Sequence, residues 1–483
     1  MESLEKINHE EFSVAIPATL NFDLIRHLLR EDKQEDVAFA LYKPSIGQFR
    51  YTALIYKIIL PEDGDRDVHG NVDINPQYFK RVCKSAMEEK SGAILLHSHP
   101  DAGWQGVSQD DFKTERTYAR TVETLTGLPF VGLTLGTDNA WSARVWEHIN
   151  NWHEKRWAST VRVVGKKLMV TYHDGIRPKP EFKEIYKRTV TVWGNENHAN
   201  LARLRVGIVG LGSVGSIVAE TLARMGLERF VLIDFDEVQI HNLDRLLGAT
   251  LQDVGHPKAL VMERQILKAS TATKPIVRAV LNGITEEIGY RHALDCDVLF
   301  SCVDRPWPRQ VLNHIAYNHL IPVIDGGIKV KLNIYSGEFE GADWQLQTVG
   351  PERPCLQCIG AFNASDVATE KDGLFEDPTY LSGLPVDHSF KRNENVFPFS
   401  TSLASLEVFQ FIEMVTGIAH KNYFGIQRFS YNHGYIRITD EKRCNSGCFY
   451  RDGLAMGDSC FSPPVGYDHS ANLARNRQEN SRN

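Results

Sequence analysis

A glycine-rich loop between two strand-like segments is the feature that most constrains how this chain folds. RVGIVG, ending at Gly210, is a continuous apolar run with a terminal glycine, which is typical of a buried strand. SVGSIVAETLARMG then has the pattern of a helix, and FVLIDFD that of a second strand. This strand–helix–strand unit predicts a doubly wound α/β sheet. The glycines Gly210, Gly212 and Gly215 would let the backbone approach a phosphate at the helix N-terminus.

A lone glycine loop also fits a nicotinamide or flavin cofactor, so the residues that follow it carry the argument. Polar and charged residues recur at the ends of the next segments: Asp234, Asp236, Asn242, Arg245, Lys258 and Asp304. A dehydrogenase has no need of an asparagine, an arginine and a lysine gathered beyond the first acid. Nucleotidyl transfer does need such residues, because negative charge develops on a phosphate during the reaction. The strand-end Asp304 is placed to hold a magnesium ion that bridges phosphate oxygens.

This ordered set, GxGxxG, then DxDxVxxxNxxR, a lysine and a strand-end aspartate, resembles the adenylation domain of ubiquitin-activating enzymes and their bacterial relatives ThiF and MoeB. The resemblance spans about residues 180 to 455. It implies that the C-terminal carboxylate of a ubiquitin-like protein attacks the α-phosphate of ATP. It further implies that Asp234 binds the ribose, that Asn242, Arg245 and Lys258 steady the phosphates, and that Asp304 holds Mg²⁺.

Arg188, in IYKRTVTVWG upstream of the first strand of this domain, has two interpretations. In the related enzymes an arginine in this place is often donated across a dimer, which implies a homodimer formed through the adenylation domain. The alternative is a solvated surface charge.

A second group of polar residues follows an apolar strand, AILL, in the first half of the chain. His97 and His99 stand at i and i+2, so an extended backbone points both imidazoles to the same side. With one carboxylate they would leave the fourth position of a zinc ion open to water, as in catalytic sites. Other divalent ions fit the same ligands. The alternative is a strand cap that binds nothing.

The string HSHP, followed by SQDD, resembles the JAMM (MPN+) metalloprotease signature HxHP…SxxD of deubiquitinating isopeptidases, over roughly the first 150 residues. The resemblance implies a domain of the JAB/MPN α/β fold with His97, His99 and Asp111 as zinc ligands. It implies Glu35, in QEDVAFALY, as the acid/base and Ser108 as a stabiliser of the oxyanion.

The loop between Pro100 and Ser108 is one residue longer than the usual spacing of that signature. A count from the histidines would therefore select Asp110, whereas the Ser-x-x-Asp register selects Asp111, which we adopt. The longer loop leaves a metal-free remnant as the alternative to an active protease.

Four cysteines form two close pairs: Cys355, Cys358, Cys444 and Cys448. Such pairs suit a closed, structural zinc knuckle, with four reduced thiols as the alternative. The related enzymes carry two CxxC pairs here, and the second pair is CxxxC in this chain. Cys460 is a poorer substitute ligand. The remaining cysteines, Cys83, Cys296 and Cys302, lie in apolar patterns and are expected in the core.

No cysteine lies between Cys358 and Cys444, where many activating enzymes carry the cysteine that forms a thioester. Three routes for the adenylate stay open. It is passed directly to the cysteine of a conjugating enzyme, it is accepted as an ester by a serine or threonine, or the reaction stops at adenylation as in MoeB-like enzymes. Cys460 is a distant candidate acceptor.

Composition limits the classes of partner and the cellular location that we expect. With 54 basic and 61 acidic residues the net charge is -7, which argues against a nucleic-acid binder. No apolar run is long enough to span a membrane, and the charged N-terminus lacks the apolar core of a signal peptide. We expect a cytoplasmic protein with a JAMM domain over 1–165, a linker and first helix over 166–195, a Rossmann-like adenylation domain over 196–460, and a polar tail over 461–483.

These expectations combine into a bifunctional enzyme of a bacterial ubiquitin-like conjugation system. The peptidase would trim a precursor or remove the modifier from its targets, and the adenylation domain would activate the exposed carboxylate. One alternative is a sulfur-carrier adenylyltransferase with a processing peptidase. Another is a binding scaffold with dead sites, against which the complete set of candidate residues argues.

Overall fold

The computed structural model describes residues 9–69, 71–149, 151–333, 335–383, 395–419, 425–439 and 443–460. The chain divides into two compact units. The first runs to Lys179 and also contains Asn318–Leu320 and the described residues from Gly453 onward. The second contains Pro180–Tyr317 and Ile321–Asp452.

The first unit is a mixed sheet with three helices. Its elements are β1 (Glu11–Pro17), α1 (Ala18–Leu28), β2 (Val37–Ile46), β3 (Arg50–Ile59), β4 (Arg66–His69), β5 (Asn71–Ile74), α2 (Pro76–Glu88), β6 (Gly92–Ser98), α3 (Gln109–Thr126), β7 (Phe130–Leu135), β8 (Trp141–Ile149), β9 (Trp152–Trp157), β10 (Thr160–Val164) and β11 (Leu168–Tyr172). Nine strands follow the order β11-β10-β1-β3-β2-β6-β7-β8-β9, and β4 pairs with β5 in a separate hairpin. The strand β6 is buried along its whole length, so its sequence is a continuous apolar run up to His97.

The observed units differ from the predicted domain bounds at two places. The stretch 166–195, expected to begin as a linker, contains β11, which pairs with β10 from Thr160↔Tyr172 to Val164↔Leu168. Two runs rich in β-branched residues on either side of Gly-Lys-Lys form a hairpin, a signal that the basic composition of the region obscured. The residues from Gly453, assigned to the adenylation domain, belong to the first unit.

The second unit alternates strands and helices before ending in an antiparallel meander. Its elements are α4 (Lys187–Trp193), α5 (Asn195–Arg203), β12 (Arg205–Val209), α6 (Ser213–Arg224), β13 (Arg229–Ile233), α7 (Lys258–Ala269), β14 (Ile276–Val280), α8 (Glu287–Leu294), β15 (Val298–Ser301), α9 (Pro306–Asn318), β16 (Val323–Leu332), β17 (Phe339–Val349), α10 (Ala364–Lys371), α11 (Pro378–Gly383), α12 (Phe397–Thr416), β18 (Ile426–Ser430), β19 (Tyr435–Thr439) and α13 (Phe449–Asp452).

The order of its eight strands is β14-β13-β12-β15-β16-β17-β18-β19. The first five strands are parallel, and β17, β18 and β19 are antiparallel additions. The predicted strand–helix–strand unit is β12–α6–β13, and the doubly wound α/β fold is confirmed. The chain progresses in one direction from β12 to β14 and then continues on the other side at β15, so a topological switch point lies between β12 and β15. Such points are where sheets of this kind bind ligands.

Within the described part of the chain, no helix is long and apolar enough to cross a membrane.

Candidate functional site

Three side chains predicted to bind a metal converge at the end of β6. His97 Nε2 lies 3.2 Å from His99 Nε2, and Asp111 Oδ2 lies 3.5 Å from each of these nitrogens. All three candidate ligand atoms lie within 4.8 Å of one another. Two imidazoles and one carboxylate in this arrangement fit a zinc ion with one position left for water.

The first turn of α3 determines which of two adjacent aspartates faces the histidines. Ser108 caps this helix, because its Oγ accepts from the Asp111 amide at 3.0 Å and donates to Asp111 Oδ2 at 2.7 Å. The Asp110 side chain is 88% exposed and pairs with Lys113. The structure therefore brings Asp111, and not Asp110, to the imidazoles.

The electrostatics of this cluster favour an ionised carboxylate. Burial alone would raise the pKa of Asp111, but hydrogen bonds to His97 and His99 hold that pKa well below its usual range. The hydrogen bond to Asp111 in turn raises the pKa of His99 against the effect of burial. A metal ion would take the place of the protons that the imidazoles share with Asp111.

Glu35 lies beside this cluster, two residues before the start of β2. β2 pairs antiparallel with β6, with Val37 opposite His97, and the Ser98 amide donates to the Asp36 carbonyl at 3.1 Å. This pairing extends towards Glu35 and His99, and Glu35 contributes to raising the pKa of His99. A half-buried carboxylate in this place can exchange a proton with a metal-bound water. Its role as acid/base stays a prediction.

A buried ion pair below the histidines was missed by sequence reasoning. Arg144 on β8 and Glu115 on α3 are fully buried, and Arg144 Nε donates to Glu115 Oε2 at 2.9 Å. Trp146 Nε1 donates to the same oxygen at 2.8 Å. Arg144 also donates to Thr134 Oγ1 at 2.7 Å, and that hydroxyl lies 3.4 Å from His97 Nε2. An arginine inside the apolar strand WSARVW was the available signal.

The four paired cysteines lie together in the second unit. Their sulfur atoms form one group within 4.8 Å, with Cys355 Sγ 3.7 Å from Cys448 Sγ. Backbone amides point at three of them: that of Cys358 at Cys355 Sγ (3.3 Å), that of Cys355 at Cys444 Sγ (3.2 Å), and that of Asn445 at Cys358 Sγ (3.5 Å). Amide donors of this kind stabilise metal-bound thiolates, so the cluster suits a structural zinc ion.

The other cysteines fit the expectation of core residues in part. Of the three cysteines expected in the core, Cys83 and Cys296 are buried and Cys302 is partly exposed. Cys460, for which no core position was predicted, is also partly exposed. Burial raises the pKa of Cys83 to about 11 and also raises that of Cys302, so neither thiol is a ready nucleophile.

The glycine loop follows β12 and leads into α6. Gly210 has a φ of +87°, which an L side chain rarely adopts. A Cβ on Gly215 would lie 1.9 Å from the Gly210 carbonyl oxygen, so close packing of the loop on α6 excludes a side chain there. At Gly212 a Cβ would meet no atom of the described residues within 4 Å. The loop therefore leaves open space before the first turn of α6, where amide groups can bind a phosphate.

Four of the predicted nucleotide residues lie close together beside this loop. Asp234, at the end of β13, accepts from the Leu211 amide at 2.6 Å and the Asp236 amide at 2.8 Å. Burial raises the pKa of Asp234 to about 6. Lys258 Nζ donates to Asp236 Oδ2 at 2.8 Å. Burial lowers the pKa of Lys258, but the charges of Asp234, Asp236 and Asp304 raise it overall.

Two further predicted phosphate ligands make local contacts. Asn242 Oδ1 accepts from the Gln239 amide at 3.1 Å. Arg245 Nη1 donates to the His241 carbonyl at 2.7 Å and to Asp244 Oδ1 at 2.8 Å. These bonds shape the turn after Asp236, and contact with phosphate stays a prediction for both residues.

Arg188 is exposed on α4. Three large apolar side chains on the same segment are also exposed, Phe182 at 60%, Ile185 at 65% and Val192 at 70%. Donation of Arg188 across a dimer stays a prediction.

Sequence reasoning also missed a polar cluster at the carboxyl edge of β15 and β16. It comprises Ser301, Arg309, Asp325, Gln347 and the fully buried Glu407. Two sequence features could have indicated this cluster. Asp325 and two glycines follow the apolar run LIPVI, and Glu407 lies inside the apolar helix α12.

The second unit is thus an α/β domain whose glycine loop and carboxylate–lysine cluster meet at a topological switch point, the class of fold that binds nucleotides at that edge. The ThiF family model matches residues 186–448, which is more than half of the chain. The chain belongs to the ThiF family. The match does not include the histidine–aspartate cluster of the first unit.

Curated relatives match over shorter stretches. A tRNA threonylcarbamoyladenosine dehydratase of Bacillus subtilis is 41% identical over 81 residues, which are 17% of this chain and 32% of that protein. The SAMP-activating enzyme E1 of Haloferax volcanii is 29% identical over 168 residues, 34% of this chain and 57% of the relative. The sulfur carrier protein adenylyltransferase of Thermus thermophilus is 29% identical over 169 residues, which are 34% of this chain and 59% of that protein. The chain therefore spans between one third and three fifths of these relatives.

Proposed function

We propose that the second unit uses ATP and Mg²⁺ to adenylate the C-terminal carboxylate of a ubiquitin-like or sulfur-carrier protein. The observation that carries the proposal is the placement of Lys258 among Asp234, Asp236 and Asp304 beside the glycine loop. Membership of the ThiF family supports it, as do two relatives named for activating or adenylating a protein carrier.

The chemistry follows from the charges at this edge. The Asp234 carboxylate accepts hydrogen bonds from ribose hydroxyls, and the amides at Gly212 and the start of α6 receive phosphate oxygens. Asp304 would hold a magnesium ion, which would neutralise charge on the phosphates. The carrier carboxylate attacks the α-phosphorus, and the bond to pyrophosphate breaks while Lys258, Asn242 and Arg245 stabilise the developing charge. The attacking carboxylate is already ionised, so no strong base is required.

A different substrate class comes from the dehydratase, whose name refers to a tRNA nucleoside. The net charge of -7 disfavours a tRNA partner, because counterion release on RNA needs a basic surface. The protein carrier is therefore the substrate class we adopt, and tRNA becomes an arm of the test.

Intact mass spectrometry tests this proposal. Small ubiquitin-like proteins are incubated with the enzyme and ATP-Mg, each beside the same protein with an amidated C-terminus. We expect one carrier with a free carboxylate to gain the mass of AMP, and its amidated form to gain none. AMP transfer that requires tRNA, or that proceeds equally with the amidated carrier, would contradict the proposal.

We further propose that the first unit is a zinc-dependent peptidase or isopeptidase that acts on precursors or conjugates of the same modifier. The support is the convergence of His97, His99 and Asp111 on one point, with Glu35 beside them. This set also matches the JAMM signature in order and chemistry. A zinc ion held by the three ligands would supply a water of lowered pKa. Glu35 would take the proton of that water and deliver it to the leaving amine. Ser108 donates its hydroxyl proton to Asp111 in this structure, so it would have to release that bond to donate to the oxyanion.

Two measurements test the peptidase. In Glu35→Gln we expect zinc content to stay unchanged while cleavage of a carrier extended at its C-terminus is lost. In Asp111→Asn we expect zinc affinity to fall by more than the roughly 10–100-fold that loss of an outer-shell partner costs. Asp110→Asn is the matched control, because its side chain faces solvent. Cleavage that survives both Glu35→Gln and a chelator would rule out this site.

The two proposed activities form one sequence on one chain. Cleavage exposes a carboxylate, and adenylation activates it, at an effective concentration raised by the fusion. Because no cysteine lies between Cys358 and Cys444, no thioester forms in that stretch. The adenylate would pass directly to a conjugating enzyme, be accepted as an ester by a serine or threonine, or end the reaction. We propose a homodimer through the adenylation domain, supported by the exposed apolar side chains beside Arg188.

A further inference from the structure

A guanidinium is fixed at the carboxyl edge of β15 and β16. Arg309 lies in the first turns of α9, and its Nε donates to Asp325 Oδ1 at 3.2 Å. Its Nη2 donates to the Gly326 carbonyl at 3.2 Å. Two contacts through different nitrogens fix both the position and the plane of the group.

Asp325 is itself held from two other sides. It is 2% exposed, and it accepts from Ser301 Oγ at 2.7 Å and from Gln347 Nε2 at 2.6 Å. These hydrogen bonds hold the carboxylate in one orientation, and the carboxylate in turn fixes the position of Arg309 Nε. Burying a charge costs desolvation free energy, and only well-placed hydrogen bonds of this kind offset that cost.

The backbone of β16 makes room for this cluster. A Cβ on Gly327 would lie 3.0 Å from Arg309 Nη2, and a Cβ on Gly326 would lie 2.1 Å from Glu407 Oε1. Glu407 is fully buried, the described residues offer its carboxyl no hydrogen-bond partner, and burial raises its pKa well above the usual value. Burial thus disfavours a charge on Glu407, and Asp325 is the acidic side chain that Arg309 contacts.

Arg309 keeps donors for another ligand. A guanidinium has five N–H groups, and two of them are used in the bonds to Asp325 and Gly326. Among the described residues no acceptor is recorded for the other N–H groups, and 17% of the side chain is exposed. A guanidinium held in this way can present its remaining N–H groups to a carboxylate in a bidentate manner.

We propose that Arg309 receives the C-terminal carboxylate of the carrier and orients it towards the α-phosphate. This inference rests on the proposed adenylation. Asp325 pairs with Ser301, the last residue of β15, and Asp304 follows three positions later, so Arg309 lies at the edge where the phosphates are expected. An incoming carboxylate is repelled by those phosphates and needs a cation of its own. Lys258 and Arg245 are engaged with the nucleotide in the proposed mechanism, whereas Arg309 is not.

Arg309→Gln and Arg309→Lys test the inference, with Arg224→Gln on the exposed side of α6 as the matched control. The probe is the carrier that gains AMP in the mass experiment. In carrier-dependent ATP–pyrophosphate exchange we expect Arg309→Gln to raise the KM for the carrier at least about 10-fold, since a charged, bidentate contact is lost. Arg309→Lys should have a smaller effect, because it keeps the charge without the fork. ATP affinity, measured by equilibrium dialysis without carrier, should stay within about 2-fold.

An equal loss of ATP affinity, or an unchanged KM for the carrier, overturns the inference and leaves the proposed function intact. No exchange in the wild-type enzyme overturns both. If the Arg309 variants fail to fold, Asp325→Asn keeps the shape of the anchor and loosens the guanidinium. It should raise the same KM about 3-fold without changing ATP affinity, and an unchanged KM contradicts the role of Arg309.

Discussion

Gly212 and Gly215 are three positions apart in one loop, yet a side chain would meet opposite surroundings at each. Gly215 packs against the Gly210 carbonyl, and Gly212 borders open space. The sequence motif presents both as equivalent phosphate-binding glycines. In the structure, close packing requires a glycine at 215, whereas the glycine at 212 leaves space that a phosphate can enter.

Alanine substitutions at these positions should therefore have different effects. Gly215→Ala should lower the free energy of unfolding of the second unit by about 1–3 kcal/mol, as overpacking does. Gly212→Ala should change that free energy by less than about 1 kcal/mol while weakening ATP binding, because the methyl group occupies the path of a phosphate. Urea unfolding and ATP titration of both variants provide the check. Equal stability losses in the two variants would contradict this assignment.

Asp234 should make the stability of the second unit depend on pH. Its pKa is raised to about 6 by burial, above the ordinary value near 4. Folding then favours the protonated carboxyl, so its contribution to stability is complete below pH 4 and is lost as the pH rises to about 6. Relative to Asp234→Asn, the wild type should lose about 1–3 kcal/mol of unfolding free energy between pH 4 and 7. A pH-independent difference between the two proteins in urea unfolding would be the contrary result.

The histidine–aspartate cluster could be located from the sequence because its residues come from one short segment, and metal binding by them stays a prediction. His97, His99 and Asp111 lie within a single strand, loop and helix start, and the Ser-x-x-Asp register selected the aspartate that the structure brings to them. Arg144 and Glu115 could not be paired from sequence, because their contact depends on how α3 packs on the sheet. The same holds for Arg309, Asp325 and Glu407, which come from three separate elements.

At the level of elements, the glycine loop predicted β12, α6 and β13 correctly, since the apolar period changes clearly between strand and helix. The hairpin of β10 and β11 was missed because its turn, Gly-Lys-Lys, lacks the usual Asn-Gly or Asp-Gly signal. The antiparallel strands β17, β18 and β19 have no such local motif, and their order is fixed by pairing that only the folded sheet shows.

The four-cysteine cluster joins two chain segments that are far apart in sequence. Cys358→Ser should reduce bound zinc from two ions per chain to one and lower the unfolding free energy by several kcal/mol, because metal binding at such sites is coupled to folding. Cys460→Ser is the control, since Cys460 is outside the cluster. Elemental analysis with thermal unfolding measures both effects. Two zinc ions retained in Cys358→Ser would disprove a zinc site here.

At the scale of the whole molecule, the division into two units agrees with two separate groups of candidate residues. The histidine–aspartate cluster belongs to the first unit, and the nucleotide residues and paired cysteines belong to the second. The ThiF family accounts for the second unit. The peptidase activity that we propose for the first unit depends on the geometry of the histidine–aspartate cluster and on separate tests.

The central claim is that the second unit adenylates a carboxylate, and carrier-dependent ATP–pyrophosphate exchange tests it most directly. The wild-type enzyme should exchange label between pyrophosphate and ATP only when the carrier is present. Asp304→Ala should reduce the rate at least about 100-fold, because the charge on the phosphates is no longer neutralised. Glu35→Gln, in the other unit, should exchange at the wild-type rate. No exchange by the wild type, or full exchange by Asp304→Ala, would contradict the account.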